Sequence, residues 1–187
     1  MCGRYVLVSK LIAIEKQFNL NSSEIELTAN PNIAPGDYAP IIRSDDPKNL
    51  NLARFGFTPF WMKKKSFVIN ARSEGDLNKE NDPIYSSGLG IIKKPMFRSA
   101  IRSKRCLIPA DAFMEGPQKE KLSKPFLVYR VDGSRPFAFA GIWEEWTDEE
   151  SGEIIPNFAI ITGTANDTLQ KVGHHRRPLV LSESDYN

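Results

Sequence analysis

Apolar positions along the chain recur mostly in the short, alternating runs of strands. "RYVLV" (4–8), "LNLARF" (50–55), "SFVIN" (66–70), "RCLIP" (105–109), "PFLVYRV" (125–131), "FAFAGIW" (137–143), "NFAIIT" (157–162) and "LVL" (179–181) are each a few residues long. Most are bounded by Gly, Pro, Asn or Asp, which end strands rather than continue helices. Helical spacing is confined to "SKLIAIEKQF" (9–18), a stretch near 72–80, and a short turn at 164–171 opened by Thr164 or Asn166. The Pro- and Asn-rich "NPNIAPGDYAP" (30–40) reads as an ordered loop rather than a linker, and no segment repeats. The pattern predicts a β-rich α+β fold in one domain over residues 1–187: a curled antiparallel sheet, barrel-like, with peripheral helices.

Composition agrees with that picture and narrows it. With 187 residues, 41% of them hydrophobic and 26% charged, the chain has enough apolar material for one core. No apolar run approaches the roughly 20 residues that span a bilayer, and the start lacks the basic and apolar regions of an export signal. A cytoplasmic protein with no membrane partner is expected. The two cysteines, Cys2 and Cys106, lack the paired spacing of a metal knuckle, so free thiols, no metal and no cofactor are expected. A formal net charge of +2 does not by itself announce a polyanionic partner. Basic residues nevertheless bunch at 61–65, 93–105 and 174–178, each run being either a solvated face or a phosphate contact.

The candidate chemistry starts at "MCGR". Removal of Met1 would make Cys2 the amino terminus, and a terminal cysteine carries a thiol and an α-amine two carbons apart. Gly3 lets the backbone behind them pass close to a substrate. Unperturbed, the amine titrates near about 7.7–8.0 and the thiol near about 8.5, so both are partly deprotonated at neutral pH. In "INARSE" (69–74) a β-like run ends at Asn70, and Arg72 follows. That pair is either a turn with a solvated arginine, or an amide fixing a terminal amine beside an arginine on phosphate. Glu115, after the apolar run of "CLIPADAFMEG" (106–116), either caps the strand or carries protons. "GHHRRPLVL" (173–181) holds both histidines of the chain next to two arginines. Clustered positive charge there favours neutral imidazoles unless an anion sits against them.

These four segments, in this order, resemble the SRAP (SOS-response-associated peptidase) family, whose members crosslink covalently to abasic sites in single-stranded DNA. "NIAPGDYAPIIR" (32–43), "RFGFTPFW" (54–61), "KPFLVYR" (124–130), "FAFAGIWEEW" (137–146) and "IITGTAN" (160–166) extend the likeness over nearly the whole chain. The resemblance implies that Cys2 is the crosslinking residue and that Asn70, Glu115 and His174 line its pocket. His174 rather than His175 fits the family's His-x-Arg-x-Pro, through Arg176 and Pro178. Arg4, Arg72, Arg176 and Arg177 are implied as DNA contacts, Trp61 as lying along the strand, and Thr162 as sitting near the site. Further implications are a bacterial-type, nucleoid-associated location, replication-fork proteins as partners, and associated lyase and Met1-removing peptidase activities. Two departures stand out: Gly116 replaces the aromatic that commonly follows the glutamate, and the chain stops sooner after the His-Arg-Pro strand than is usual, so a C-terminal extension is expected to be lacking. The rival reading of "MCG" is an amino-terminal-nucleophile amidohydrolase of the glutamine amidotransferase kind, but the Arg-Gly-Pro-Asp-like and Asn-Gly-Glu-like motifs of those domains are absent. A non-catalytic single-strand-binding module would need only the arginines and aromatics.

Overall fold

The structure, a computed structural model, describes residues 2–85 and 88–186. In chain order it runs β1 (Tyr5–Leu7), α1 (Leu11–Phe18), β2 (Asn30–Ile33), β3 (Tyr38–Arg43), β4 (Asp46–Phe55), β5 (Asn70–Arg72), α2 (Ala100–Ser103), β6 (Arg105–Ala110), β7 (Ala112–Glu115), β8 (Phe126–Val128), β9 (Phe137–Thr147), β10 (Ile154–Thr164), α3 (Asp167–Lys171) and β11 (Arg176–Pro178). The sheet closes on itself: β10 pairs with β4, β4 with β3, β3 with β6, β6 with β9, and β9 again with β10. All of these pairings are antiparallel except β10 with β4. Closure removes free edges from these strands, which is why such short apolar runs suffice. The β-rich α+β architecture with peripheral helices is therefore as the sequence pattern predicts.

Aromatic rings fill the barrel. Phe55 stacks on Phe158 with centroids 5.1 Å apart, and Tyr5 sets its ring edge-on to Phe55 and Phe139, each at 5.8 Å. Tyr5 belongs to a second sheet, ordered β2-β1-β7-β8, so its ring pins that sheet to the barrel. Asp111, buried between β6 and β7, clamps the chain just past β1. Its carboxylate accepts from Val8 N at 2.6 Å, Ser9 N at 2.7 Å and Ser9 Oγ at 2.5 Å. With Tyr5 and Ser9 both fixed, the residues before Tyr5 are held at the barrel's rim.

Several elements differ from expectation, each for a local reason. The stretch near 72–80 is not helical: Arg72 ends β5 and residues 73–80 form turns, with Gly75 at φ +61° and the Glu74 carboxylate turned inward. The proline-rich stretch at 30–40 contains β2 and the start of β3. Pro40 is tolerated because β6 pairs with β3 only at Ile42 and Arg43, leaving no partner for the missing N–H on that side. The last strand is Arg176–Pro178 rather than 179–181, with Val180 making a single bridge to Phe139. The 125–131 run shrinks to Phe126–Val128, with Leu127, Tyr129 and Val131 exposed. Of the two proposed caps of α3, Asn166 is the one used, its side chain accepting from Leu169 N at 3.2 Å.

Candidate active site

Three converging strands and one turn build a polar pocket at the rim. β1 and β7 run antiparallel with Tyr5 opposite Phe113, and Met114 N donates to Arg4 O at 2.9 Å. Extending that register sets Glu115 level with Gly3, next to Cys2. β5 runs parallel to β10 with Asn70 opposite Ile160 and Arg72 opposite Thr162, so Asn70 and Arg72 share one face. After α3, Gly173 takes φ +82°, and the turn delivers His174, whose N–H donates to Leu169 O at 2.9 Å.

Cys2, Asn70, Glu115 and His174 are all buried there, although three of the four are polar. The Asn70 amide donates to the Cys2 carbonyl at 3.0 Å and to the Ile69 carbonyl at 2.9 Å, which fixes both the amide and the residue carrying the thiol. His174 Nε2 lies 3.5 Å from Glu115 Oε2. Its Nδ1 lies 2.9 Å from the Arg176 carbonyl oxygen and accepts from Arg176 N at 3.2 Å. The ring can therefore donate through Nδ1 in one protonation state and accept there in another, keeping Nε2 aimed at the carboxylate. The His175 ring stacks on His174 at 5.1 Å, and burial first, then the neighbouring groups His174, Arg176 and Arg72, lower its pKa to about 4. His175 is thus neutral across the physiological range.

The thiol departs from the expectation drawn from free cysteine. Burial, and secondly the negative charge of Glu115, push the Cys2 thiol far above its ordinary value, so it is protonated in the closed pocket. For this thiol to act as a nucleophile a base would have to take its proton, and Glu115, whose charge acts on it, is the carboxylate beside it.

Of the residues expected on a DNA path, the structure separates two kinds. Trp61 is half exposed on the 58–66 segment, beside exposed Phe60 and Lys63, Lys64 and Lys65. That segment is held by Thr58 N donating to Asn157 Oδ1 at 2.9 Å and by the Trp146 indole donating to Met62 O. Arg4 is half-buried and donates to Asn32 Oδ1 at 3.2 Å, while Arg177 donates to Thr164 O at 3.2 Å, leaving part of each guanidinium open. Arg72 is half-buried and makes no ion pair among the described residues.

Arg176 is different, and here the expectation of a phosphate contact needs correction. It has no exposed surface, its guanidinium forms a bidentate pair with buried Glu74, and Nη2 also donates to the Thr162 carbonyl and hydroxyl, each at 3.1 Å. A phosphate cannot reach it in this arrangement. Thr162, also fully buried, serves as an acceptor in the same cluster. Glu74 and Asp111 went unread in the sequence, since isolated acids near turns look solvated; a usable signal for Glu74 was its place before Gly75, directly after Asn70 and Arg72. Gly116 is buried beside the extended register of Cys2, so any stacking surface must come from elsewhere, and the exposed aromatics at 60–61 are available for it.

The fold and site together define a barrel protein with a cysteine near its amino terminus at the rim, faced by an acid–imidazole pair. The family described as SOS response associated peptidase (SRAP) matches residues 1–187, and the chain belongs to that family. It is 32% identical over 191 residues to "Abasic site processing protein YoqW" of Bacillus subtilis (strain 168), an alignment covering 99% of this chain and 78% of that protein. It is 30% identical over 152 residues to "Abasic site processing protein YedK" of Escherichia coli (strain K12), covering 81% of this chain and 60% of that one. A crystal structure of a Bacteroides thetaiotaomicron protein shares the fold with a TM-score of 0.81 at 24% identity, over 99% of this chain and 79% of the other. No helix among the described residues is long and apolar enough to cross a membrane, and no cluster of three or more His, Cys, Asp or Glu among them could hold a metal ion.

Proposed function

We propose that this chain processes abasic sites in single-stranded DNA by crosslinking to them through Cys2 once Met1, which lies outside the described residues, has been removed. The observation that carries this reading is the convergence of Cys2, Asn70, Glu115 and His174 in one buried pocket at the rim. Family membership and the names of the relatives support the same substrate.

A ring-opened abasic sugar presents an aldehyde. The Cys2 amine adds to its carbon, the carbonyl oxygen takes up protons and leaves as water, and an imine results. The thiol sulfur then bonds to the imine carbon, the C=N π pair moves onto nitrogen, and the thiol proton ends on that nitrogen by way of a base. The product is a five-membered thiazolidine, and the sum is aldehyde plus cysteine giving thiazolidine plus one water. The amine acts first and the thiol second, because the imine carbon that the thiol adds to exists only once the amine has reacted. Glu115 carries protons at the amine and then at the thiol; His174 serves the sugar oxygen as the ring opens. Asn70 orients Cys2 by its carbonyl and does not react.

Arg4, Arg72 and Arg177 hold flanking phosphates, and Trp61 stacks on an unpaired base, a sequence-independent mode of recognition. Strand cleavage by β-elimination from the imine and removal of Met1 in the same pocket extend this reading, as does a place beside replication-fork proteins. Mixing processed protein with abasic or intact single-stranded oligonucleotide and separating under denaturing conditions tests the core of it. A shifted band with the abasic strand alone is expected; no band, or equal bands with both strands, would overturn it.

A further inference from the structure

Behind the pocket lies a second polar cluster that the reaction above does not use. Glu74, Arg176 and Thr162 are each almost wholly buried, and together they form a connected set of hydrogen bonds: both Glu74 oxygens on Arg176, Arg176 Nη2 on Thr162 O and Oγ1, and Ser73 Oγ on Glu74 Oε2 at 3.1 Å. Glu74 is itself locked from behind. A Cβ at Gly90 would fall 2.1 Å from the Glu74 carbonyl oxygen, so only glycine lets the 90–93 turn close over it. Burial, the largest single influence, would raise the Glu74 pKa, but the hydrogen bonds from Arg176, the Glu74 backbone and Ser73, together with the Arg176 charge, outweigh it and hold the carboxylate below its ordinary value.

The main chain of that same Arg176 is what holds His174: Nδ1 of the ring meets both its N–H and its C=O. The guanidinium end is anchored by Glu74 and Thr162, and the backbone end grips the imidazole that faces Glu115. We infer that Glu74 is a positioning residue for His174, acting through Arg176, with Thr162 as the second anchor. This inference rests on the proton-transfer role of His174 proposed above. Buried bidentate pairs fix geometry strongly because both partners lose their alternatives in water. The arrangement also explains why an arginine stands where no phosphate can reach it.

The test compares wild type with Glu74→Gln and Glu74→Asp in the full chain. With only two histidines, heavy-nitrogen labelling of the imidazoles gives a readable spectrum for His174 without any DNA. Both variants are expected to shift its ring-nitrogen resonances toward a mixed-tautomer pattern and to displace its titration. They are also expected to slow crosslinking to an abasic oligonucleotide, by on the order of 100-fold for Gln, the loss that a displacement of about 1 Å can bring, and by less for Asp. Asp keeps the charge of the pair, so if Glu74→Gln fails to fold, Glu74→Asp decides. Unchanged His174 resonances and titration in a folded variant would overturn the inference, as would altered resonances with an unchanged crosslinking rate. If wild type itself does not crosslink, the proposed function fails, while the spectra still decide whether Glu74 positions the ring.

Discussion

The barrel interior and the pocket at its rim are equally shielded from water, yet they are held by opposite physics. Phe55, Phe139 and Phe158 have no exposed surface and pack ring against ring. Each contributes by leaving water and by dense packing, and neither effect depends on a particular partner. Cys2, Asn70, Glu115, His174 and Arg176 are buried almost as completely, but each must be matched by a specific donor or acceptor to offset its desolvation. Burial alone therefore does not separate scaffold from site. The dependence on named partners does.

That contrast can be broken first on the apolar side. Phe139→Ala should destabilise the fold by about 3–5 kcal/mol, because Tyr5, Phe113 and Phe137 all set ring edges against Phe139. Below its lowered melting transition the crosslinking rate should stay within a few-fold of wild type. Denaturant unfolding and a crosslinking time course check both halves; a rate lost while the protein is still folded would mean that interior and rim are not separable.

Glu115→Gln should do the reverse. Shape is kept and the proton carrier is lost, so crosslinking should slow by about 100-fold, with little change in affinity for intact strand. Equal rates across neutral pH for variant and wild type would remove the proton-transfer role.

The two arginines separate surface from interior more finely. Arg72→Ala should reduce the dependence of log affinity on log salt by about 0.7, one phosphate's worth for a single strand. Arg176→Ala should instead lower stability and disturb His174 rather than act as one lost phosphate contact, because its guanidinium neutralises Glu74 inside the protein. Equal loss of salt dependence in both variants would contradict the burial of Arg176.

The smallest effect lies in acid. His175 has a folded pKa of about 4 against an ordinary 6.5, so between those values the unfolded chain binds more protons than the folded one. Stability should fall as pH drops through that window and be unaffected by His175 above it. Melting curves of His175→Gln should be flatter there, whereas the Glu74 contribution is lost only below the ordinary glutamate value of 4.5. An unchanged acid limb in His175→Gln would show the ring to be as solvated in the fold as out of it.

The two regions also differed in how far the sequence revealed them. Strand-like runs with Gly, Asn or Pro boundaries marked most of the barrel, because strand periodicity follows from local pattern. β3 stayed hidden behind Pro40, whose missing N–H matters only if that edge is paired, a question of topology. At the rim, Cys2, Asn70, Glu115 and His174 could be named because each sits at the end of a recognisable apolar run or in a short motif. Glu74 and the true setting of Arg176 could not. A charged residue reads as solvated until its partner, 102 positions away in the chain, is brought against it by the fold. The helix expected at 72–80 failed for the same reason, since Gly75 and the inward turn of Glu74 serve that distant contact.

The central claim, that one residue supplies both nucleophiles, is tested most directly by the mass of the crosslink with and without a hydride reductant. An imine and a thiazolidine both equal protein plus DNA less one water, but only the imine gains two hydrogens on reduction. Processed wild type should give a crosslink that survives denaturation unreduced and whose mass the reductant leaves unchanged. Processed Cys2→Ala keeps the terminal amine, so it should give a stable band only when the reductant is present, two hydrogens heavier, and some nicked strand without it. A stable unreduced crosslink in Cys2→Ala, or a wild-type crosslink that takes up hydride, would contradict the thiazolidine.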